Sequence, residues 1–281
     1  MIQEQFDKRN YRTELKRQNA NLFVTVNGQM VKIFNNEFLL NDKPLCVHTE
    51  EKIKQSEKIE VTALVKPKSI IYKDNNFVGY RMPFIPGPSL TNYTKTVKQS
   101  KRLKFAKELI ISLEKTILDL EKYNIVMPNL IEPGNIIINK NEGLKLIDYD
   151  DIQINHNLSN SFPSELGSSK NYINTKYTHF GRMAFEPQHF TSELNRLSLL
   201  VLYFKTAFNI DLISQKGINK NLLLVQIIHK LGLEDDLIAQ KVYRIYNNDA
   251  TIGLISEDAK RIEKEYQFNN NQNSEKILIR R

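Results

Sequence analysis

The segment EPGNIIINKNEGLKLIDYDD, residues 132–151, restricts the fold more than any other stretch of the chain. Two short apolar runs, 135–139 and 144–148, flank a polar Lys-Asn-Glu-Gly turn, which predicts a β-hairpin. Asn135 begins the first run and Asp148 ends the second, so the hairpin lets an amide and a carboxylate approach each other. Such hard oxygen atoms are the ligands that Mg²⁺ prefers. Asn and Asp are also common at hairpin borders for purely structural reasons.

The part of the chain before residue 86 is rich in strand patterns. LFVTVNGQMVKIF, residues 22–34, alternates apolar and polar side chains around Asn-Gly, which predicts a hairpin. Residues 50–65 are predicted to form a helix with a narrow apolar face. A second hairpin is predicted over 69–85, where a KDNN turn separates two apolar runs. A small antiparallel sheet with one helix is therefore expected here.

The character of the sequence changes near residue 100. Residues 100–123 carry apolar side chains at helical spacing, which predicts a long amphipathic helix. Further helices are predicted at 192–208, 219–231 and 235–247, and the Asn-rich tail is expected to fray. We therefore expect an α+β protein with a mostly helical second part.

Composition narrows the function classes. The chain has 40 Lys and Arg against 32 Asp and Glu, but these charges alternate along the chain, so nucleic-acid binding is not indicated. One cysteine, Cys46, and five scattered histidines do not supply a disulfide or a structural zinc site. The first thirty residues contain no apolar run long enough for a signal or membrane segment. We expect an intracellular, cytoplasmic protein without membrane attachment.

The order of these features resembles the protein-kinase-like fold. A strand-rich lobe, a Pro-Gly-Pro hinge, a helical lobe and the thirteen-residue separation of Asn135 from Asp148 together carry the resemblance. It implies a bilobal α+β fold, with a small antiparallel-sheet lobe over 1–85 and a larger mostly helical lobe over 86–267. The Asn-rich tail over 268–281 is expected to be flexible because of its composition.

The resemblance also implies roles for individual residues. Lys32, in the VKIF run, occupies the position of the strand lysine that contacts the inner phosphates of ATP and pairs with a helix glutamate. Glu60 is the expected partner, with Glu57 one turn earlier in reserve. Asp148 is expected to hold the Mg²⁺ that bridges the phosphates and Asn135 a second Mg²⁺. The three expected catalytic residues are therefore Lys32, Glu60 and Asp148.

The expected cofactors are ATP and Mg²⁺. The backbone of the hinge, from Met82 through Pro83 and Phe84 to Ile85, occupies the position at which the family binds the adenine edge. Asp150, two residues after Asp148, is a further candidate metal ligand.

Two departures from the family pattern reduce the expected activity. The run KRQNANLF lacks the glycines that let a loop lie close over the phosphates. Five residues before Asn135, where the family has its proton-accepting Asp, this chain has Leu130, although Asn129 takes that place if the loop has one extra residue. The carboxylates able to substitute are those of Glu132, Asp150 and Asp151.

Three functions are consistent with this pattern. The first is a pseudokinase or slow divergent kinase that binds Mg-ATP between the lobes, favoured by Leu130 and the missing glycines. The second is an active serine/threonine-type protein kinase with a non-standard catalytic loop, favoured by the retained residues Lys32, Glu60, Asn135 and Asp148. The third is a small-molecule kinase resembling the aminoglycoside and choline kinases, favoured by Asp150, where protein kinases have Gly. A nucleotide and a protein partner or protein substrate are the expected ligands.

Overall fold

The computed structural model describes residues 1–7, 11–16, 20–25, 27–35, 43–155, 185–186, 189–190 and 192–209. The helices predicted at 219–231 and 235–247, the tail from residue 268 and most of segment 152–190 lie outside the described residues.

The chain divides into two compact units. The first comprises Met1–Tyr93, Asp119–Lys170 and Pro187–Phe190, and the second comprises Thr94–Leu118, Asn171–Glu186 and Thr191–Arg281. The described part is a mixed α+β structure, as expected from the sequence, and is compatible with a kinase-like fold. The division into lobes at residue 86 stays a prediction.

A six-stranded sheet is the main element of the first unit. Its strands are β1 (Ile2–Gln5), β2 (Tyr11–Lys16), β3 (Ala20–Thr25), β4 (Gln29–Phe34), β5 (Ser69–Lys73) and β6 (Asn76–Pro83). Their order in the sheet is β1-β5-β6-β4-β3-β2, with β1 parallel to β5 and all other neighbours antiparallel. The sequence patterns predict β3 to β6 but not β1 and β2, whose residues are mostly polar or charged.

Both predicted hairpins of the sheet are confirmed. Gly28, between β3 and β4, has φ +68°, which glycine adopts at little cost. Between β5 and β6, Asp74 and Asn75 have φ of +51° and +64°, the two positive values of a type I′ turn. Asn and Asp tolerate this conformation better than other side chains, so the turn follows from local chemistry.

The helix predicted over 50–65 is displaced. The helix, α1, spans Lys43–Gln55 and continues as a 3₁₀ turn over Ser56–Lys58. The chain then extends, and the backbone N–H of Val65 donates to the carbonyl of Leu146 at 2.9 Å, while the Leu146 N–H donates to the Ala63 carbonyl at 2.7 Å. Those groups would be consumed inside a longer helix, so pairing with a distant strand ends α1 early.

Leu146 belongs to the hairpin that was predicted within residues 132–151. The structure confirms this hairpin. Its strands are β8 (Ile136–Asn139) and β9 (Gly143–Leu146), and β7 (Ile125–Val126) pairs separately with β10 (Gln153–Ile154). Ile136 and Leu146 face each other across the hairpin and are fully buried. The hairpin is therefore anchored in the core at the end where Asn135 and Asp148 lie.

The segment between β6 and the following helix is bound to β8 at several points. Ile138 N–H donates to the Pro88 carbonyl at 2.9 Å, and the Asn139 side chain donates to the Pro86 carbonyl at 3.0 Å. Gly87 has φ +139°, and a Cβ there would lie 2.2 Å from the Ile138 carbonyl oxygen. The Pro86–Gly87–Pro88 cluster therefore depends on glycine for close approach to the hairpin.

The long helix predicted from residue 100 is confirmed as α3 (Gln99–Glu121), which follows the shorter α2 (Leu90–Thr96). One side of α3 is buried, in keeping with its apolar period: Leu103, Ala106, Leu109, Ile110, Leu113, Ile117 and Leu120. Among the described residues, no helix has the length and apolar character needed to cross a bilayer.

In the second unit, the helix predicted at 192–208 is confirmed as α4 (Glu193–Phe208). Tyr203, Phe204 and Phe208 pack edge to face or tilted, with ring centroids 5.8–5.9 Å apart. Asn209 ends the helix in the left-handed conformation, with φ +58°. The short strand β11 (Phe185–Glu186) also belongs to the second unit, whereas β12 (His189–Phe190) belongs to the first.

Candidate functional site

Lys32 is the cationic centre of a charged cluster in the first unit. It lies on β4, opposite Tyr80 of β6. A Cβ on Gly79, the residue before Tyr80, would lie only 2.0 Å from the Lys32 carbonyl oxygen. Glycine therefore lets β6 approach the lysine backbone closely. The sequence-predicted lysine thus occupies a tightly paired position within the sheet.

The ammonium of Lys32 contacts two of the predicted aspartates. Its Nζ lies 2.8 Å from Asp148 Oδ1, and 2.7 and 2.9 Å from the two carboxylate oxygens of Asp150. The side chains of Lys32, Asp148 and Asp150 are 12%, 32% and 6% exposed, so Asp148 is the member that solvent reaches. The structure brings together residues more than a hundred positions apart in the sequence.

Tyr80 completes the cluster and was not predicted from the sequence. Its hydroxyl donates to Asp150 Oδ1 at 2.5 Å, and its side chain is fully buried. Burial and the Asp150 carboxylate raise the pKa of Tyr80 well above its ordinary value. Tyr80 therefore remains a protonated donor, and both oxygens of Asp150 are hydrogen-bonded.

The charges of the cluster stabilise one another. Burial on its own would lower the pKa of Lys32, but Asp150, with smaller contributions that include Asp148, raises it well above its ordinary value. Burial likewise opposes ionisation of Asp150, yet the Lys32 ammonium and the Tyr80 hydroxyl lower its pKa. We conclude that Lys32 is cationic and Asp150 anionic at neutral pH.

The backbone at Asp148 directs this arrangement. Asp148 has φ +70° and ψ +52°, a left-handed conformation that is uncommon for a residue with a Cβ. It is followed by a 3₁₀ turn over Tyr149–Asp151. Just before it, the Ile147 N–H donates to the Asn135 carbonyl at 3.0 Å. Asn135 therefore pairs with the residue that precedes Asp148, at the open end of the hairpin.

Lys52 of α1 is a second buried lysine, which sequence analysis missed. Its Nζ donates to the backbone carbonyls of Asp150 at 2.6 Å and Ile152 at 2.9 Å, and the Tyr149 hydroxyl donates to the Lys52 carbonyl at 3.1 Å. Burial, only partly offset by Asp150 and Asp151, lowers the pKa of Lys52 to about 8. Lys52 ties α1 to the turn that carries the aspartates.

The expected ion pair between Lys32 and Glu60 is not formed, which corrects the sequence interpretation. Glu60 is exposed and lies beyond the end of α1, in the extended chain. Glu57 contacts the Met1 ammonium at 2.6 Å and does not reach Lys32 either. Because α1 ends at Gln55, neither glutamate lies on the helix that faces the cluster, and the carboxylates come from Asp148 and Asp150 instead.

In the loop before the hairpin, the side chains of Asn129 and Leu130 have different environments. Leu130 is fully buried in the core, whereas the Asn129 side-chain amide donates to the Asp151 carboxylate. Asn135 in turn donates to the Asn129 carbonyl at 3.2 Å. Asn129 Oδ1 is buried and has no hydrogen-bond partner among the described residues. The Asn129 side chain therefore contacts an aspartate, whereas Leu130 does not. This is the arrangement expected if the loop has one residue more than the family pattern.

The pKa of the Asp151 carboxyl group is shifted in the opposite direction from that of Asp150. Burial raises its pKa to about 7, with further contributions from the nearby charges of Asp150 and Asp148. Near neutral pH its carboxyl group is therefore divided between the protonated and ionised forms.

The residues predicted to bind adenine differ in their exposure to solvent. Met82 is buried and pairs with Met30, Pro83 ends β6, and Phe84 is 45% exposed. Adenine binding by the backbone from Met82 to Ile85 stays a prediction. In the described part of the chain, no three His, Cys, Asp or Glu side chains are grouped as a metal site.

Comparison with known proteins gives one weak relationship to a kinase. The chain is 30% identical over 136 residues to the dual specificity protein kinase zakA of Dictyostelium discoideum. The match covers 43% of this chain and 17% of that protein, so the chain spans about a sixth of the length of this curated relative. No family model matches the sequence. The relationship is a hint of kinase-like ancestry.

Proposed function

We propose that the chain is a kinase-like protein that binds Mg-ATP beside Lys32 and Asp148 and transfers phosphate slowly or not at all. The observation that carries the proposal is the 2.8 Å contact between Lys32 Nζ and Asp148 Oδ1. A strand lysine and a carboxylate that follows a short hairpin are the two charged groups with which kinases hold the phosphates and their metal.

The side chains have distinct tasks in this proposal. Lys32 would hold phosphate oxygens, while the solvent-reached carboxylate of Asp148 and the amide oxygen of Asn135 would hold Mg²⁺. When bound, Mg²⁺ supplies positive charge that offsets the charge of the phosphates. This donor set suits a hard cation.

Asp150 fits a metal less well. Lys32 and Tyr80 already donate to its carboxylate oxygens, so it would have to exchange the ammonium for the metal. We therefore expect Asp150 to position Lys32, and to bind metal only after Lys32 leaves it.

Slow transfer follows from the loop before the hairpin. Leu130 is buried in the core, and the amide of Asn129 is not a base. Loss of a general base costs about 10²- to 10⁴-fold in rate. A second candidate, an active protein kinase, is favoured by Asp151, a carboxylate hydrogen-bonded to Asn129. Asp151 would then replace the missing base.

A thermal-shift titration tests nucleotide binding, because a ligand that binds the folded state raises its melting temperature. We expect ATP with Mg²⁺ to raise the Tm of the wild-type protein more than ATP alone. Asp148→Ala should remove the magnesium-dependent part, and Asp119→Ala, a change at a surface ion pair, should retain it. Absence of any shift at millimolar nucleotide would overturn the proposal.

A further inference from the structure

A cavity of about 630 Å³ lies in the first unit, and its lining contains none of the charged residues around Lys32. Its walls come from the N-terminus of the chain, the 3₁₀ turn and extended segment after α1, the residues around the end of β6 and the β8–β9 hairpin. The volume is within the range of small-molecule sites, about 300–1,000 Å³. The cavity is therefore large enough to hold an organic ligand. It lies away from Lys32 and Asp148, although Pro83, Phe84 and Ile85 of its lining also belong to the segment predicted to bind adenine.

The walls of the cavity are largely apolar. Leu64 and Val65 line it and are buried, while Phe84 and Ile2 are 45% and 68% exposed at its edge. Among the residues whose exposure the structure describes, four large hydrophobic side chains are exposed, and two of them lie at this cavity. An apolar ligand body would remove this surface from water, which is favourable by about 25 cal/mol per Å².

The polar side of the cavity has an excess of positive charge. Lys145 contacts the Glu142 carboxylate at 2.9 Å and donates to the Thr62 carbonyl at 3.0 Å, so its charge is compensated. Lys66 donates to the Ile59 carbonyl at 2.5 Å, and Lys68 is exposed. Neither Lys66 nor Lys68 has a carboxylate partner within the described part of the chain.

We propose that this cavity binds a small organic anion with an apolar body. The body would lie against Leu64, Val65 and Phe84, and the anionic group would accept hydrogen bonds from Lys66 and Lys68. Hydrogen bonds between an ammonium and an anion are about twice as strong as neutral ones. A neutral ligand of the same shape would therefore bind more weakly.

Two fluorescent probes test the proposal. Anilinonaphthalene sulfonate is an apolar body with an anionic group, and N-phenylnaphthylamine is a similar body without the charge. In the full chain, Lys68→Gln should weaken binding of the sulfonate about ten-fold and change binding of the amine less than about two-fold. Lys104→Gln, at an exposed position of α3, is the matched control and should change neither.

A blocking variant tests the location. Thr62→Tyr adds volume at the cavity wall and keeps the carbonyl that Lys145 uses, so it should weaken both probes. Asp148→Ala should leave sulfonate binding intact, since that residue is outside the cavity. Equal losses in Lys68→Gln and Lys104→Gln would indicate long-range charge and overturn the proposal. Unchanged sulfonate binding in Lys68→Gln would overturn it as well, whatever the folding of Thr62→Tyr.

Discussion

The ammonium of Lys52 lies 2.6 Å from the backbone carbonyl oxygen of Asp150, the residue whose carboxylate contacts Lys32. One lysine thus binds the backbone of the turn, and the other binds its carboxylate. Each lysine depends on Asp150 for a partner in a buried environment, where an unpaired charge is costly.

Replacing Lys52 should destabilise the fold more than replacing its neighbour Lys54. Lys52→Met leaves the buried carbonyls of Asp150 and Ile152 without their donor, at a cost of about 1–3 kcal/mol. Lys54→Met, on the same helix, removes an exposed ion pair with Glu50 and should cost about 1 kcal/mol or less. Urea unfolding measures both values. Equal costs would mean that Lys52 does not hold the turn.

Lys32 should be coupled energetically to Asp150 and not to Glu60. Lys32→Met and Asp150→Asn remove partners of one buried ion pair, so the double variant should lose less than the sum by about 1–3 kcal/mol. A second cycle with Glu60→Gln should be additive to within about 0.5 kcal/mol. Unfolding free energies of the five variants and the wild type give both coupling energies. Coupling to Glu60 alone would restore the sequence-based pairing.

Because β6 lies close to the Lys32 backbone, alanine should destabilise the protein at Gly79 but not at Gly134. Gly79→Ala would place a Cβ 2.0 Å from the Lys32 carbonyl oxygen and should destabilise the protein by about 1–3 kcal/mol. Gly134→Ala meets no atom within 4 Å and serves as the control. Thermal denaturation of both variants distinguishes a packing effect from a general effect of replacing glycine. Similar Tm losses in the two variants would contradict the close contact.

Stability should fall at acidic pH through Glu50. Burial raises the pKa of Glu50, but hydrogen bonds from Lys54 and Tyr72 outweigh burial and lower it. Because the folded pKa lies below the unfolded one, the stabilisation is present above the unfolded value and is lost as pH falls through the folded value. Glu50→Gln should therefore be less stable than wild type at pH 7 by about 1 kcal/mol or less. The difference in unfolding free energy between wild type and Glu50→Gln should therefore disappear at acidic pH. A difference that stays the same at neutral and acidic pH would contradict this origin.

The catalytic-loop position can be tested by restoring a carboxylate. If nucleotide is bound and loss of a general base limits the rate, Asn129→Asp should raise autophosphorylation about ten-fold or more. Leu130→Asp should instead bury a charge in the core and destabilise the protein by about 3 kcal/mol or more. Radiolabel transfer and urea unfolding give the two readouts. If Leu130→Asp increased phosphate transfer without loss of stability, Leu130 and not Asn129 would occupy the position of the family's proton-accepting Asp.

Local sequence chemistry predicted the elements whose causes are local. The Asn-Gly turn, the Asp-Asn turn and the apolar period of α3 each lie within one short window, and the structure contains all three. Lys32 and Asp148 were selected as candidates from their positions relative to their strands, but the contact between them was not predicted.

The errors arose where distant segments compete for the same backbone. Nothing within residues 50–65 indicates that Ala63 and Val65 pair with Leu146, so the end of α1 was misplaced. With the correct helix, Thr49, Lys52 and Ile53 all fall on its buried face. A lysine on that face would have indicated a buried acceptor, although its identity depends on a turn nearly a hundred residues away.

The attachment of Pro86 and Pro88 to β8 limits where the backbone can rotate. Their rings fix φ, and Gly87 is held against the Ile138 carbonyl oxygen, so this segment moves with the hairpin. Upstream, Pro83 is the last residue of β6. Between these two fixed regions only Phe84 and Ile85 keep both torsions adjustable, and any reorientation of the sheet relative to the hairpin along this connection must be concentrated in two residues.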